Sequence, residues 1–208
     1  GGARAAPEGY LDGLADAAQE FGALVIADEV QCGLGRTGKI FAFQHSSIQP
    51  DIVVLAKGLG GGIPIGAVIA RADIGEAMGP GSHGSTFGGN PLSTACGNAV
   101  LDGLEEEGFM AGVQHRISLL DDVVLRLHSR FSDIILEVRG AGFLRGMKLH
   151  DNILAGDVTA ALRERHLLVV PAADNVVRLL PPLTITEDEI AQVEAHFIAC
   201  FDSLSASK

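Results

Sequence analysis

The chain has 208 residues, enough for one large domain or two small ones, and its 47% hydrophobic content is typical of a globular protein. Its 26 acidic and 15 basic residues give a formal net charge of −11, which disfavours nucleic acid and anionic membranes as partners, because both bind basic patches. The longest apolar runs are too short to span a bilayer, and we expect no signal peptide. Three widely spaced cysteines fit neither a disulfide framework nor a metal site, so we expect a cytoplasmic protein without metal ligands.

The first hundred residues alternate helix-like stretches with short apolar runs. Apolar residues recur at helical spacing between Leu11 and Phe21 and predict a first helix, which ends at Gly22. Continuous apolar runs at residues 23–27, 52–56 and 67–70 predict strands that are buried on both faces. Strands of this kind, separated by helices, indicate an α/β architecture with a largely parallel sheet.

The second half of the chain has a different pattern. Helices are predicted at residues 91–107, 112–131 and 157–165, and strands at residues 134–138, 143–149, 167–170 and 176–180. A last helix is predicted to begin at a capping box, in which Glu189 follows Thr186 by three residues. We therefore predict two domains, with residues 1–97 in the α/β layer and residues 98–208 in a small α+β domain.

Residues 33–38 match the dinucleotide-binding pattern G-x-G-x-x-G, but their position disfavours a dinucleotide site. Five residues separate them from the preceding predicted strand, whereas a dinucleotide site needs the glycines at the strand end, where a helix begins. The same residues nearly match a phosphate-binding P-loop, which requires a hydroxyl directly after Lys39 to bind magnesium. Ile40 stands there instead, so an NTPase site is disfavoured as well.

Two ionisable residues of opposite charge follow two of the predicted strands. Asp28 comes after residues 23–27, and Lys57 comes after residues 52–56 and before a glycine-rich turn. The carboxyl ends of parallel strands meet at the edge where α/β proteins bind their ligands. A partly desolvated lysine there becomes a Schiff-base nucleophile, and a carboxylate can pair with a pyridinium nitrogen. The alternatives are a solvated strand end for Lys57 and a turn or helix cap for Asp28.

Four segments resemble, in family order, sequence blocks of the class III (ornithine-type) pyridoxal-phosphate aminotransferases. They are LVIADEVQCGLGRTG at residues 24–38, PDIVVLAKGLGGG at residues 50–62, GSTFGGNP at residues 84–91 and VVRLLPPL at residues 176–183. The resemblance implies the fold type I of pyridoxal-phosphate enzymes, with part of the large domain followed by the small domain. Within the family, the sequences of these segments most resemble the acetylornithine branch.

The resemblance also implies a role for each matching residue. Lys57 holds the cofactor and moves the proton, Asp28 holds the pyridinium nitrogen, Val30 packs on the ring and Gln31 binds the phenolic oxygen. Ser85 and Thr86 bind the cofactor phosphate of a neighbouring subunit, which implies a homodimer with shared active sites. Arg178 binds a substrate carboxylate, with an exposed strand arginine as the alternative.

The family's complete chain has a longer N-terminal part, which carries a phosphate-binding glycine loop, an aromatic residue stacked on the ring and a carboxylate paired with the substrate arginine. None of these is found in the 208 residues, so the resemblance implies the C-terminal half of such an enzyme, with an uncovered apolar sheet face. The implied reaction is transamination between N-acetylornithine, at its ω-amino group, and 2-oxoglutarate in arginine biosynthesis. Alternatives are another class III ω-aminotransferase, acting on succinylornithine, succinyldiaminopimelate or 4-aminobutyrate, and a truncated domain without catalysis.

Overall fold

A three-stranded mixed sheet organises the first half of the chain in a computed structural model that describes residues 2–206. Strand β1 (Ile26–Asp28) pairs in parallel with β2 (Ile52–Leu55), and β3 (Ala67–Ala70) pairs antiparallel with the other side of β2. The parallel β1–β2 pair agrees with the prediction, whereas the antiparallel β3 makes this part of the sheet mixed and not largely parallel. The register aligns Asp28 with Val54, so Asp28 and the residues after Leu55 lie at the same edge of the sheet.

Strand β1 begins at Ile26, three residues later than predicted. Helix α1 (Tyr10–Glu20) ends in a Schellman motif, in which Gly22 has φ 65°, Gly22 N–H donates to Gln19 O and Ala23 N–H donates to Ala18 O. Because the helix cap still uses the backbone of Ala23, this residue cannot join the sheet.

The first face of the sheet is buried at strand β2, whereas the second face is largely exposed. Val53 and Leu55 are buried on the first face, whereas Ile26 and Val68, on the second, keep 59% and 60% of their surface exposed. Within residues 6–110 no element packs against the second face, so the burial on both faces that the apolar runs predict is not reached there. The exposed face agrees with the uncovered apolar face that the resemblance to half of a longer enzyme implies. An uncovered apolar patch of this kind is typical of a surface that binds other polypeptide.

The remaining elements of the first half are short, apart from one helix. Two 3₁₀ helices span Ala42–His45 and Lys57–Gly60, and helix α2 spans Ala72–Gly75. Helix α3 (Pro91–Glu105) has Asn90 as its N-cap, whose Oδ1 accepts a hydrogen bond from Ser93 N–H at 2.9 Å. Residues 75–89, between α2 and this cap, are exposed throughout.

An antiparallel sheet with strand order β4-β5-β7-β6 organises the second half. Its strands are β4 (Ile135–Ala141), β5 (Leu144–Leu149), β6 (Val170–Ala172) and β7 (Val176–Leu179). Helices α4 (Phe109–Arg130), α5 (Ala155–Glu164) and α6 (Glu187–Ala206) supply the rest of a core that includes the fully buried Leu120, Met147, Leu162 and Phe197. The small α+β arrangement agrees with the prediction.

The predicted capping box at the start of α6 is confirmed. Thr186 N–H donates to Glu189 Oε2 at 2.8 Å, and Glu189 N–H donates to Thr186 Oγ1 at 3.2 Å. Strand β6 begins at Val170, three residues later than predicted. His166 adopts a left-handed backbone and Leu167 N–H donates to Leu162 O, so Leu167 belongs to the C-terminal cap of α5 and not to the strand.

The described residues divide into two compact units, the first of residues 6–110 and the second of residues 2–5 with 111–206. The proposed domain boundary at residue 97 falls within α3 and stays a prediction about the domains of the enzyme. Within residues 2–206, we find no helix that is both long enough and apolar enough to cross a membrane.

Candidate active site

Lys57 is the first residue of a tight turn that directly follows strand β2. Its backbone has φ 46°, in the left-handed region that residues with a side chain rarely adopt. Its side chain is exposed, and among the described residues no hydrogen bond or ion pair to its Nζ is found. A strained backbone of this kind is frequent at functional sites, where the surrounding structure enforces it.

Three glycines of the Lys57 turn each face a different side chain of the first unit. A Cβ added to Gly58 would lie 3.6 Å from Leu34 Cδ1, one on Gly60 would lie 2.9 Å from Ile65 Cγ2, and one on Gly61 would lie 3.2 Å from Val100 Cγ2. Helix α3 also approaches the turn closely, since a Cβ on Gly97 would lie 3.5 Å from Leu59 O. The turn is therefore enclosed by side chains on several sides, while the amine of Lys57 stays accessible.

Asp28 ends the neighbouring parallel strand and is also exposed. Its Oδ1 accepts a hydrogen bond from Val30 N–H at 3.1 Å, which orders the backbone that leads to Val30 and Gln31. Both of these residues are half-buried. The first unit thus presents an amine, a carboxylate and an amide on residues that follow two adjacent parallel strands.

Glu29 holds the loop that carries Val30 and Gln31, a role that is not evident from the amino-acid sequence. Its side chain is buried at 3% exposure, Oε1 accepts from Phe43 N–H at 2.8 Å and Oε2 accepts from Ala42 N–H at 2.9 Å. These donors lie at the start of a 3₁₀ helix, where backbone N–H groups lack partners within the helix. The carboxylate therefore links the loop after β1 to residues 42 and 43.

Cys32 lies in the same loop, with its Sγ 3.5 Å from Glu29 Oε2. Burial, together with the nearby Glu29 carboxylate, raises the pKa of the Cys32 thiol to about 11. The thiol therefore remains protonated at neutral pH and is a poor nucleophile. Lys57 is thus the better candidate for covalent chemistry in this part of the chain.

Ser85 and Thr86 lie in the exposed loop that precedes helix α3. Ser85 Oγ accepts a hydrogen bond from Gly88 N–H at 3.0 Å, and Asn90 Nδ2 donates to Phe87 O at 2.9 Å, so the loop is held at its base. The tip of the loop is exposed, and Phe87 keeps 80% of its surface accessible. A glycine-flanked loop with hydroxyls and free backbone donors suits an anion, but its phosphate role stays a prediction.

Arg178 lies in the second unit, on strand β7, where it is half-buried and aligned with Gly146 of β5. Its Nε is buried and has no hydrogen-bond partner in the described part of the chain. A buried guanidinium donor without a partner is costly, and a bound carboxylate would satisfy the guanidinium. The second unit also contains an apolar pocket of about 340 Å³, but none of the predicted site residues lines it.

The sequence model of the aminotransferase class-III family matches residues 1–201. The chain belongs to this family. It is 50% identical over all 208 residues to acetylornithine aminotransferase 1 of Bradyrhizobium diazoefficiens, of which it covers 51%. It is 47% identical to the acetylornithine aminotransferase of Mesorhizobium japonicum, over 91% of this chain and 47% of that protein. The chain thus spans about half the length of the curated relatives it matches.

Solved structures of the family have the same fold. The ornithine aminotransferase of Toxoplasma gondii ME49 matches 97% of this chain and 48% of its own, with a TM-score of 0.90 and 35% identity. The N-acetylornithine aminotransferase of Stenotrophomonas maltophilia K279a matches 100% of this chain and 55% of its own, with a TM-score of 0.88 and 33% identity. The predicted fold of a pyridoxal-phosphate-dependent aminotransferase is therefore confirmed.

The residues of the first unit fit pyridoxal phosphate, the cofactor of this family. The cofactor has an aldehyde, a pyridine nitrogen and a phenolic oxygen, which match an amine, a carboxylate and an amide in chemistry. Lys57 Nζ is accessible, and Asp28 Oδ2 accepts no hydrogen bond from the described residues, so both groups are available to a ligand. The assignment of these residues to the cofactor stays a prediction.

Proposed function

We propose that this chain is the lysine-bearing half of an acetylornithine aminotransferase, which moves the ω-amino group of N-acetylornithine to 2-oxoglutarate. The observation that carries the proposal is the accessible Lys57 amine beside Asp28 at one sheet edge, in a chain 50% identical over its whole length to a protein named for this reaction. Glutamate and the corresponding aldehyde are the expected products. A cytoplasmic location remains a prediction from the sequence.

Lys57 has two tasks in this proposal. Its Nζ would hold the cofactor through the cofactor's aldehyde, and it would act as base and then as acid on the proton of the substrate carbon that bears the amine. Bound pyridoxal phosphate would supply an electron sink. Lys57 has a left-handed backbone at the first position of the turn, and its side chain is exposed, so the amine is available to a ligand.

Four further residues are proposed to hold the ring and the substrate. Asp28 would keep the pyridine nitrogen protonated through its free carboxylate oxygen, Val30 would pack against a ring face and Gln31 would donate a hydrogen bond to the phenolic oxygen. Arg178 binds a substrate carboxylate in bidentate fashion, because a guanidinium matches two carboxylate oxygens. Each role is proposed on the side-chain chemistry and on the resemblance of the surrounding sequence blocks.

Ser85 and Thr86 are proposed to bind the cofactor phosphate of a second subunit, which makes the enzyme a homodimer with shared sites. The support is the exposure of the whole loop and the lack of buried side chains in residues 75–89. A side chain on such an exposed loop would take a fixed position only when the loop packs against the second subunit.

A chimera tests the proposed reaction. It joins this chain to the part of the Bradyrhizobium relative that the chain does not cover, and glutamate formation is measured with N-acetylornithine and 2-oxoglutarate. Lys57→Ala should abolish turnover, while Lys39→Ala, a matched control in the same unit whose Nζ donates to Gln44 O, should leave it unchanged. Turnover that survives Lys57→Ala would reject the catalytic assignment.

The choice of amino donor needs its own comparison. Rates with N-acetylornithine, N-succinylornithine, N-succinyldiaminopimelate and 4-aminobutyrate are measured on the chimera and on the unmodified Bradyrhizobium relative. We expect N-acetylornithine to be preferred by both. A preference of the chimera for 4-aminobutyrate would overturn the donor while leaving the aminotransferase class intact.

A further inference from the structure

Two non-glycine residues of the first unit adopt a left-handed backbone, and they lie on two segments in contact. Within residues 6–110, positive φ at a residue with a side chain occurs at Leu34, with φ 55°, and at Lys57, with φ 46°. The side chain of Leu34 faces Gly58, the residue after Lys57, because a Cβ added to Gly58 would lie 3.6 Å from Leu34 Cδ1. The two strained positions therefore meet through this contact.

A leucine is an unfavourable choice for the backbone that Leu34 adopts. Glycine reaches positive φ without strain, and Leu34 stands between two glycines, so the segment is already suited to tight turns. The leucine side chain is nevertheless buried, with 6% of its surface exposed. Its packing must offset the strain, and the packing partner that the structure identifies is the turn that begins at Lys57.

The loop that carries Leu34 is itself held in place at its start. A Cβ on Gly33 would lie 2.8 Å from Glu29 O and 2.9 Å from Glu29 Cβ, so the chain passes closely over Glu29, whose carboxylate is fixed by Ala42 N–H and Phe43 N–H. Gly33 N–H also donates to Glu29 O at 3.0 Å. The loop therefore presents Leu34 to Gly58 from a fixed base, just beyond the proposed ring-binding residues.

We infer that Leu34 is a positioning residue, which holds the Lys57 turn at a fixed distance from Asp28, Val30 and Gln31. This inference rests on the proposed function, in which Lys57 Nζ must meet an atom of a group bound by those three residues. Small displacements of a reacting group lower rates steeply, so a side chain that fixes the turn contributes to the reaction without touching the cofactor.

Variants at residue 34 and one matched control test the inference on this chain. Leu34→Ala and Leu34→Gly remove the contact, Leu34→Met keeps most of it, and Leu104→Ala removes an equally buried leucine of the same unit, at 6% exposure, from the end of α3. Two quantities are measured for each variant. The first is the initial rate of Lys57 labelling by pyridoxal phosphate, with the adduct trapped by borohydride. The second is the rate at which the Leu59 and Gly61 amide protons exchange with solvent.

The glycine variant separates positioning from stability. Glycine relieves the left-handed strain, so Leu34→Gly should resist urea better than Leu34→Ala. We expect both to label Lys57 about tenfold to a hundredfold more slowly than the unsubstituted chain, whatever their stability. We also expect both to lose protection at the Leu59 and Gly61 amides, which donate to Ala56 O and Gly58 O. Leu34→Met and Leu104→Ala should keep the labelling rate and the protection.

Two results would overturn the inference, and a third concerns the proposed function alone. If the rate of Lys57 labelling follows resistance to urea, so that Leu34→Gly is labelled faster than Leu34→Ala, Leu34 is an ordinary core residue. Unchanged labelling and protection in both variants would show that the Lys57 turn does not depend on Leu34. If the unsubstituted chain is not labelled at Lys57, the proposed function fails, and amide protection still decides whether Leu34 holds the turn.

Discussion

The buried carboxylate of Glu29 provides a quantitative prediction for the first unit. Glu29→Ala removes the acceptor of two backbone N–H groups, those of Ala42 and Phe43, at 2.9 and 2.8 Å. Hydrogen bonds to a charged group contribute about 1.5–3 kcal/mol each, and water can reach the vacated site only in part. We therefore expect the free energy of unfolding to fall by about 3 kcal/mol, a large share of the roughly 5–15 kcal/mol of a typical domain.

Urea unfolding measures this loss in the first unit. The chain has a single tyrosine, Tyr10, and no tryptophan, so tyrosine fluorescence reports on the unit that contains helix α1. With an m value of about 1.5–2 kcal/mol per M, the midpoint should fall by about 1.5–2 M for Glu29→Ala. Glu29→Gln keeps one acceptor oxygen and turns a donor toward the second N–H, so its loss should be about half as large.

The matched control for Glu29 is Glu8→Ala, which removes an exposed glutamate of the same unit. Its midpoint should stay within about 0.3 M of the unsubstituted chain, because surface substitutions change stability by about 0.5 kcal/mol or less. Equal midpoints for Glu29→Ala and Glu8→Ala would refute the reasoning, since the two backbone donors would then not depend on the carboxylate.

Three further predictions concern other parts of the chain. Gly140→Ala should destabilise the second unit by about 3 kcal/mol in a denaturation experiment, because φ is 93° and an added Cβ would overlap Leu144 O. The control Gly156→Ala should be neutral or stabilising, because this glycine lies in a helix and an added Cβ would meet no neighbouring atom. Lys148 and Arg139 lower the pKa of Asp174 below its ordinary value of 3.8, so the stability that Asp174 contributes is present above pH 3.8 and is lost as the pH falls further. The difference in melting temperature between the unsubstituted chain and Asp174→Asn should therefore be constant from pH 7 to pH 5 and shrink below pH 4. A difference that does not change with pH would contradict this. In the chimera, mixing Lys57→Ala with Thr86→Ala should restore part of the activity if Thr86 serves the neighbouring subunit, and should restore nothing if Thr86 serves its own.

The sequence predicted elements well where one local pattern decides the structure. The capping box of Thr186 and Glu189 and the parallel strands before Asp28 and Lys57 are patterns of this kind. Strands β1 and β6 were predicted three residues too early for a common reason. In both, the first residue of the predicted strand, Ala23 or Leu167, is apolar but belongs to the cap of the preceding helix. A Schellman cap depends on backbone angles that apolar composition does not reveal.

The sequence indicates the proposed reactive groups of the candidate site, whose roles stay a prediction, but it does not indicate the residues that support them. Lys57 and Asp28 follow apolar strands, so their charge is conspicuous, whereas Leu34 and Glu29 look like ordinary members of a glycine-rich loop. The adjacent carboxylates of Asp28 and Glu29 were a usable signal, because neighbouring side chains at a strand end point in opposite directions and one of them must face the interior. The left-handed backbone at Leu34 has no comparable signal in the sequence.

Mapping the site of cofactor attachment tests the central claim most directly. The chain has four lysines, Lys39, Lys57, Lys148 and Lys208, and it is incubated with pyridoxal phosphate, reduced with borohydride, digested and analysed by mass spectrometry. Lys39 Nζ donates a hydrogen bond to Gln44 O at 2.6 Å, and Lys148 Nζ donates one to Asp174 Oδ1 at 2.9 Å. Both lysines therefore serve as internal controls, because their amines already have hydrogen-bond partners. We predict label on Lys57 in clear excess over the other three, and less of it in Asp28→Ala. Label spread evenly over the four lysines, or absent from Lys57, would contradict the assignment of Lys57 as the cofactor lysine.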